Sequence, residues 1–390
     1  MNPLYIDSQR VGLGIDRSSL YVKDLKTGRL IEKFEPRTIP YDSIFIQRPN
    51  GFISFAALNW LEKHNVSLSV MDWRGNVIAQ FMPEEPISNE LKIAQVQAYL
   101  DRKKRLSIVR TIVQTKLERQ IQLLRSLSES YPIAIPRIPV VTSSNAKGSL
   151  REQVLLRNLE ARFAVEYFVQ YGAICKQLGF GFPGRGTRAR SKNMNAADLV
   201  NGLLNYGYGF LKTYIRRSLN SVGLDNTIPF MHELRNNRGL VFDLMELWRT
   251  NVDYSVLLCL ASIRRDKAYR VTSDFKILLD PATIRALFAN LKLNLSMEEL
   301  IFNCRILAKH ILGQAKGSLL RREQEPLEFV LKPVRTHSLS EPSDVRSAIL
   351  SSKTARELGM NKSTLWYQRR RLKETGSIRL YNKTRPRFQH

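Results

Sequence analysis

The sequence predicts an α+β chain: a small N-terminal β domain, a large helical domain and a C-terminal helix-turn-helix. Three observations predict it. Apolar residues alternate through residues 1–85, a helical period takes over near Asn89, and prolines set off a short basic unit at the end. The expected boundaries are residues 1–85, 86–325, a linker over 326–343, and 344–390.

In the first domain, Val11, Leu13 and Ile15 alternate with other residues as in a strand. Leu20-Tyr21-Val22 and Leu30-Ile31 flank Lys26-Thr27-Gly28, which predicts a hairpin turn. Ser43 to Ile46 reads as another strand. Phe55 to His64 reads as a short helix with Phe55, Leu58 and Leu61 on one side. Val66 to Met71 and Val77 to Met82 read as strands around Arg74-Gly75-Asn76.

The pattern changes near Pro83. From Asn89 to about Ser128 the period is helical, with Ile108, Ile112, Leu117, Ile121 and Leu124 on one face and Lys and Arg on the others. Pro132, Pro136 and Pro139 break it, and a largely helical body runs on to about Arg322. One interruption, GFGFPGRGTRARSK from Gly179 to Lys192, contains glycines and a proline that exclude a helix there. Its cations, Arg185, Arg188, Arg190 and Lys192, fit a loop that contacts DNA phosphates, and they fit a solvated connector equally well.

Pro326, Pro333 and Pro342 mark the linker. Beyond it, from Val345 to His390, twelve Lys/Arg stand against two Glu. Ser352 to Gly359 and Asn361 to Lys373 read as two short helices joined at a glycine, with Leu358, Leu365 and Leu372 as their small core. The second helix of such a unit enters the major groove of duplex DNA. Lys362, Ser363, Thr364, Tyr367 and Gln368 fall near its reading end, and Arg369 and Arg370 add charge to the same helix.

Across 390 residues, 61 Lys+Arg against 35 Asp+Glu give a formal charge of +26. The hydrophobic share of 43% is enough for packed cores, which excludes a disordered basic tail. A charge this positive resists compaction unless a polyanion is the working partner. Nucleic acid is the default and an anionic membrane the competitor. No run of about 18 apolar residues occurs, so no transmembrane span is expected, and MNPLYIDSQR lacks the features of a signal peptide. Cys175, Cys259 and Cys304 are widely spaced without a CxxC pattern, against a zinc finger or a disulfide framework.

Chemistry-bearing residues gather between Asn201 and Arg249. His232 stands there, followed by Asp243 and Glu246, which share a helix face and are embedded among Leu240, Val241, Phe242, Leu244, Met245, Leu247 and Trp248. Acids in so apolar a run must be paired, hydrogen-bonded or metal-bound. Arg249 is a ready partner for one of them. Hard carboxylate oxygens with one imidazole suit Mg²⁺ or Mn²⁺. A third acid would complete such a site, and periodicity leaves Glu160 and Glu166 equal.

The sequence resembles the CRISPR-associated integrase family and its transposon-encoded members, the casposases. The resemblance rests on Glu160 followed by Tyr167-Phe168, on LNYGY at Leu204 to Tyr208, on Gly223-Leu224-Asp225 leading to His232, on Asp243-Leu244-Met245-Glu246 with Arg249, and on Ile112-Val113 with Lys116 and Gln120. It covers about residues 10 to 320. It implies that the helical domain is catalytic and that Glu160, His232 and Glu246 bind Mg²⁺ or Mn²⁺. Asp243 would be an auxiliary ligand or an orienting base. It implies a one-step transesterification in which a DNA 3′-hydroxyl attacks a target phosphodiester, with hydrolysis as a side capacity. The absence of a Walker-type loop agrees with a reaction that needs no ATP. Ala161 stands where the family often has Gly. The C-terminal helix-turn-helix points to a casposase, a homodimer or higher homo-oligomer acting on double-stranded DNA in a prokaryotic cytoplasm, at the nucleoid. The alternatives are a CRISPR adaptation integrase working with a small partner protein, and a non-catalytic DNA-binding protein on the same fold.

Overall fold

A computed structural model of the chain describes residues 2–48, 50–84, 88–137, 150–185, 196, 198–234, 238–271, 277–314, 366, 369 and 370. The first part is β-rich. Strands β1 (Pro3–Ile6), β2 (Val11–Asp16), β3 (Ser19–Asp24), β4 (Leu30–Phe34), β5 (Ser43–Ile46) and β6 (Gly51–Ile53) precede helix α1 (Phe55–Lys63). Strands β7 (Ser67–Met71) and β8 (Val77–Phe81) follow. They form two four-stranded sheets, ordered β1-β5-β7-β8 and β4-β3-β2-β6. In the first sheet β5 runs parallel to both β1 and β7, while β8 is antiparallel to β7. The hairpin expected around Lys26-Thr27-Gly28 joins β3 and β4, with Gly28 at a positive φ. Two of these strands carry little sequence signal: β6 has three residues, and in β1 the aromatic Tyr5 between buried Leu4 and Ile6 hides the alternation. A separate core of Leu13, Leu20, Val22, Ile44, Leu61 and their neighbours fills this part.

Helix α1 corrects one expectation. Its buried residues are Ala57, Trp60 and Leu61, whereas Phe55 is exposed. Ser54 caps the helix by accepting from the Ala57 N–H, which sets Phe55 at the first turn, clear of the core.

The helical part begins with α2 (Asn89–Leu100) and α3 (Arg102–Ser128). A single helical period hid their junction. Asp101 stops α2 in an extended conformation and caps α3, accepting from the Lys103 and Lys104 N–H groups. Then come α4 (Leu150–Gln177), α5 (Leu199–Val222), α6 (Gly239–Ser262) and α7 (Arg265–Ala268). A small antiparallel pair, β9 (Tyr269–Val271) and β10 (Ile277–Leu279), leads to α8 (Pro281–Asn294) and α9 (Met297–Ile311). This β pair interrupts a stretch the sequence reads as helical. Helices α5 and α6 are buried around most of their circumference and pack on each other at the centre of the main core.

The LNYGYG stretch explains how the two parts join. A Cβ on Gly209 would collide with the Gly75 carbonyl, in the β7–β8 turn, and one on Gly207 would collide with Val252 of α6. Both glycines are close-approach positions on α5. Beside them Phe45 stacks on Phe210 at 5.0 Å, and Ser43 Oγ lies 2.6 Å from the Tyr214 hydroxyl. The β-rich part is thus set against the helix that precedes the histidine-bearing loop.

Candidate active site

Three helices converge on one buried cation. Lys116 lies on the apolar face of α3, in line with Ile108, Ile112, Val113, Gln120 and Ile121. Its ammonium pairs with Glu160 of α4 and stands 2.6 Å from Glu246 Oε2 of α6. Arg249, one turn on, places Nε 3.0 Å from Glu246 Oε1. Glu246 is therefore flanked by two cations. Burial alone would raise its carboxyl, but Arg249 and Lys116 carry it below the usual carboxylate range. Glu166 points to solvent. Of the two glutamates that periodicity left equal, Glu160 is the one turned towards Glu246.

His232 sits on the loop between α5 and α6, and this loop is pinned from three sides. Gly223 ends α5 in the left-handed conformation. Fully buried Gln95 of α2 donates to the Asp225 and Ile228 carbonyls and accepts from the Asp225 N–H. Arg105 of α3 donates to the Phe230 carbonyl. From the far side Asp243 accepts the N–H groups of Phe230, Met231 and His232, and its Oδ1 lies 2.6 Å from His232 Nδ1. A carboxylate in that position holds the proton on Nδ1 and leaves the Nε2 lone pair open. Asp243 is wholly buried, with both oxygens engaged. Its hydrogen bonds place it as an anchor of the loop and of the imidazole ring.

A third buried acid, Asp253, lies seven residues beyond Glu246 on the same face of α6. Its oxygens accept from the Tyr208 hydroxyl at 2.6 Å and the Tyr167 hydroxyl at 2.7 Å, and its carbonyl from Tyr171 at 2.9 Å. The guanidinium of Arg249 lies over the Tyr208 ring at 4.9 Å, linking this network to Glu246. Arg185 lies over the same ring at 5.2 Å, and its Nη1 donates to Asn201 and Asn205 of α5 at 3.0 Å each. Arg185 is thus docked on α5. Arg188, Arg190 and Lys192 lie outside the described residues, as do Lys362, Ser363, Thr364, Tyr367 and Gln368. Arg369 and Arg370 are helical, and the Arg370 guanidinium lies 5.3 Å from the Trp366 ring.

The donor set fits a hard divalent ion in chemistry: two carboxylates from different helices beside an imidazole with a free Nε2. Glu246 Oε2 is buried and its partner at 2.6 Å is the Lys116 ammonium, so this oxygen already faces a cation. As the side chains stand, no three His, Cys, Asp or Glu residues among those described form a group that could hold a metal, because Lys116 occupies the position between the carboxylates. Sequence reasoning noted Lys116 only as part of a motif, without its place between the carboxylates, and it missed Gln95 and Asp253. Each is a polar residue in an apolar helical stripe, which is the signal that would have found them.

Fold and site define a two-part protein whose helical part builds a cation position from acids on separate helices. The chain belongs to the CRISPR associated protein Cas1 family, whose model matches residues 4–292. It is 31% identical over 217 residues to CRISPR-associated endonuclease Cas1 2 of Pyrobaculum aerophilum, covering 54% of this chain and 68% of the relative. It is 33% identical over 216 residues to CRISPR-associated endonuclease Cas1 1 of Methanospirillum hungatei, covering 54% and 62%. The structure of a casposase bound to integration product is similar with a TM-score of 0.72 and 25% identity, over 90% of this chain and 99% of that one. The Cas1 protein of Thermotoga maritima shares the fold at a TM-score of 0.64 and 17% identity, over 81% of this chain and 99% of that one. No helix among the described residues is long and apolar enough to cross a membrane.

Proposed function

We propose that the chain is a metal-dependent DNA integrase, acting as a casposase that joins element 3′-hydroxyl ends to target DNA. The observation that carries this reading is the meeting of Glu160 and Glu246 on a single cation, beside an imidazole whose tautomer Asp243 sets. Glu160, Glu246 and His232 Nε2 would hold Mg²⁺ or Mn²⁺. Bound there, the ion supplies Lewis-acid activation of the hydroxyl and neutralises charge on the phosphate. Asp243 fixes the imidazole, and Arg249 keeps Glu246 ionised. In the reaction one P–O bond forms to the incoming 3′-oxygen while the bond to the departing 3′-oxygen breaks. The number of phosphodiester bonds is unchanged, so no ATP is needed. Water in place of the hydroxyl would give endonuclease activity, the activity in the names of the archaeal relatives.

The casposase reading is supported by the share of this chain that the casposase structure spans, 90%, and by the basic unit expected after residue 343. The names of the curated relatives favour a second reading, a CRISPR adaptation integrase with a small partner protein. One assay separates the two. Labelled DNA ends carrying the element's own sequence or a scrambled one are offered with a supercoiled target, Mn²⁺ and no other protein. Joining that favours the cognate end, is lost on His232→Ala or Glu246→Ala and is lost in EDTA supports the casposase. A strict need for an added partner supports the second reading. Full joining by both substituted proteins would remove the integrase assignment.

A further inference from the structure

Beside the site, on its outer flank, three cations crowd together. Lys212 and Arg216 are one turn apart on α5 and share a face. Arg238 caps the start of α6, its carbonyl accepting from the Phe242 N–H, so Arg238 and Phe242 also share a face. The Lys212 ammonium lies over the Phe242 ring at 5.1 Å, and that ring lies 6.0 Å from the imidazole of His232. One aromatic ring therefore separates the cluster from a candidate metal ligand. All three cations are half-buried. Among the described residues no carboxylate pairs with any of them, and the side-chain partner given to Arg216 is the neutral Gln80.

Such a cluster works against folding. Burial pulls the Lys212 ammonium down from its ordinary value, and Arg238 and Arg216 pull it further. Burial and Arg238 act on Arg216 in the same sense. Removing one of these charges should stabilise the chain, so their retention calls for an anion that the isolated chain does not supply. His232 thus has a carboxylate at its Nδ1 and, one ring away past Phe242, the cations, a spacing suited to a strand whose reacting phosphate lies at His232 and whose neighbouring phosphate lies beyond Phe242.

We propose that Lys212, Arg216 and Arg238 form a phosphate-binding subsite that grips the nucleic-acid backbone one aromatic ring away from His232. It rests on the reading of the chain as a DNA-processing enzyme and adds the place where the strand is held. The grip is sequence-independent, since phosphates carry no base information.

The test uses the full chain in EDTA, so that no strand is cut, and measures duplex affinity by fluorescence anisotropy between 50 and 200 mM salt. The combined Lys212→Met, Arg216→Gln and Arg238→Gln variant is compared with wild type. A control carries Arg10→Gln, Lys26→Gln and Arg29→Gln, three exposed cations of the β-rich part. Each lost phosphate contact lowers the slope of log affinity against log salt by about 0.9, so the cluster variant should lose roughly 2 to 3 in slope. Wild-type affinity should then fall roughly 15- to 60-fold more than the variant's across this salt range. The control should keep the wild-type slope. A thermal midpoint that holds or rises in the cluster variant shows relief of repulsion and excludes misfolding. If the midpoint falls instead, the charge-preserving Lys212→Arg, Arg216→Lys, Arg238→Lys variant decides, and the proposal requires it to keep the wild-type slope. Equal slopes in wild type and cluster variant would overturn the subsite while leaving the enzyme reading intact. So would an unchanged slope combined with stabilisation of wild type alone by inorganic phosphate, which would mark a site for the free ion. Failure of wild type to bind DNA would remove both.

Discussion

The ammonium of Lys116 lies 2.6 Å from Glu246 Oε2 and pairs at the same time with Glu160, so one side-chain cation ties α4 to α6 through α3. All three groups are largely withdrawn from water, and Lys116 is only 5% exposed. Charges buried in this way cost several kcal/mol each to desolvate, and their attraction offsets that cost only while every partner is present.

Removing Lys116 should therefore expose a need for another cation. Lys116→Met keeps much of the apolar stem and leaves Glu160 and Glu246 facing each other, with Arg249 as the remaining partner. In EDTA the variant should lose about 3–5 kcal/mol of stability. Mn²⁺ should return most of that loss and raise the thermal midpoint more than it does in wild type. Thermal melts over a Mn²⁺ titration measure this. An equal metal-induced shift in both proteins would show that Lys116 does not occupy the ion's place.

Asp243 gives a second prediction. It accepts three backbone N–H groups and one imidazole N–H. Asp243→Asn puts an amide donor against donors and releases the ring. Loss of such an orienting partner typically costs 10- to 100-fold in metal affinity. Mn²⁺ affinity measured by electron paramagnetic resonance should fall by about that factor, and strand joining should fall with it. Affinity at the wild-type level would show that the imidazole is held by other contacts.

The third prediction concerns acid. The Glu246 carboxyl is held below its unfolded value of 4.5, since Arg249 and Lys116 outweigh burial. A depressed acid contributes stability above its unfolded value and loses it as pH falls through the folded one. Wild type should lose stability on acidification below about 4.5, by more than Glu246→Gln does. At pH 7 the glutamine variant should be the less stable of the two. Urea unfolding from pH 7 down to about 3 in EDTA gives both curves. Parallel curves would show that Glu246 is not held ionised by its neighbours.

Much of this was legible in the sequence, and the gaps have physical reasons. Alternation of Val11, Leu13 and Ile15 marked β2, and short apolar runs beside turn residues marked β5, β7 and β8. With three residues β6 is too short to show a period, and in β1 the aromatic Tyr5 between buried Leu4 and Ile6 hides the alternation. The α2–α3 junction escaped because Asp101 breaks the backbone without breaking the apolar spacing. Within the site, Asp243 and Glu246 stood out as acids in an apolar helix, and family motifs chose Glu160 over Glu166. Their different roles were not readable. Two acids three residues apart point towards the same face, yet Asp243 is drawn to the N–H groups of residues 230–232 while Glu246 turns to Lys116. That division depends on where the His232 loop folds back, a long-range fact fixed by Gln95 and Arg105. Lys116 was visible as part of a motif, but its place between two carboxylates required three helices to be assembled.

The last prediction tests the network behind the site. Asp253 is fully buried, and its side-chain donors among the described residues are the Tyr208 and Tyr167 hydroxyls at 2.6 and 2.7 Å. Burial raises its carboxyl above the ordinary value, and the two hydroxyls, with Arg249 and Arg185, hold that rise in check. Tyr208→Phe or Tyr167→Phe alone removes one donor and should cost about 1–3 kcal/mol. The double substitution leaves the carboxylate without either donor and drives its folded value higher still. A raised acid keeps its full contribution below the unfolded value and loses stability as pH rises through the folded one. The double variant should therefore fall further behind wild type as pH rises from about 4, and the gap should level off once Asp253 is ionised in both proteins. Urea unfolding of the four proteins in the double-mutant cycle, at steps from pH 4 to 8, measures this. A gap that stays constant across that range would mean that Asp253 does not change charge there, and that the tyrosines act through packing alone.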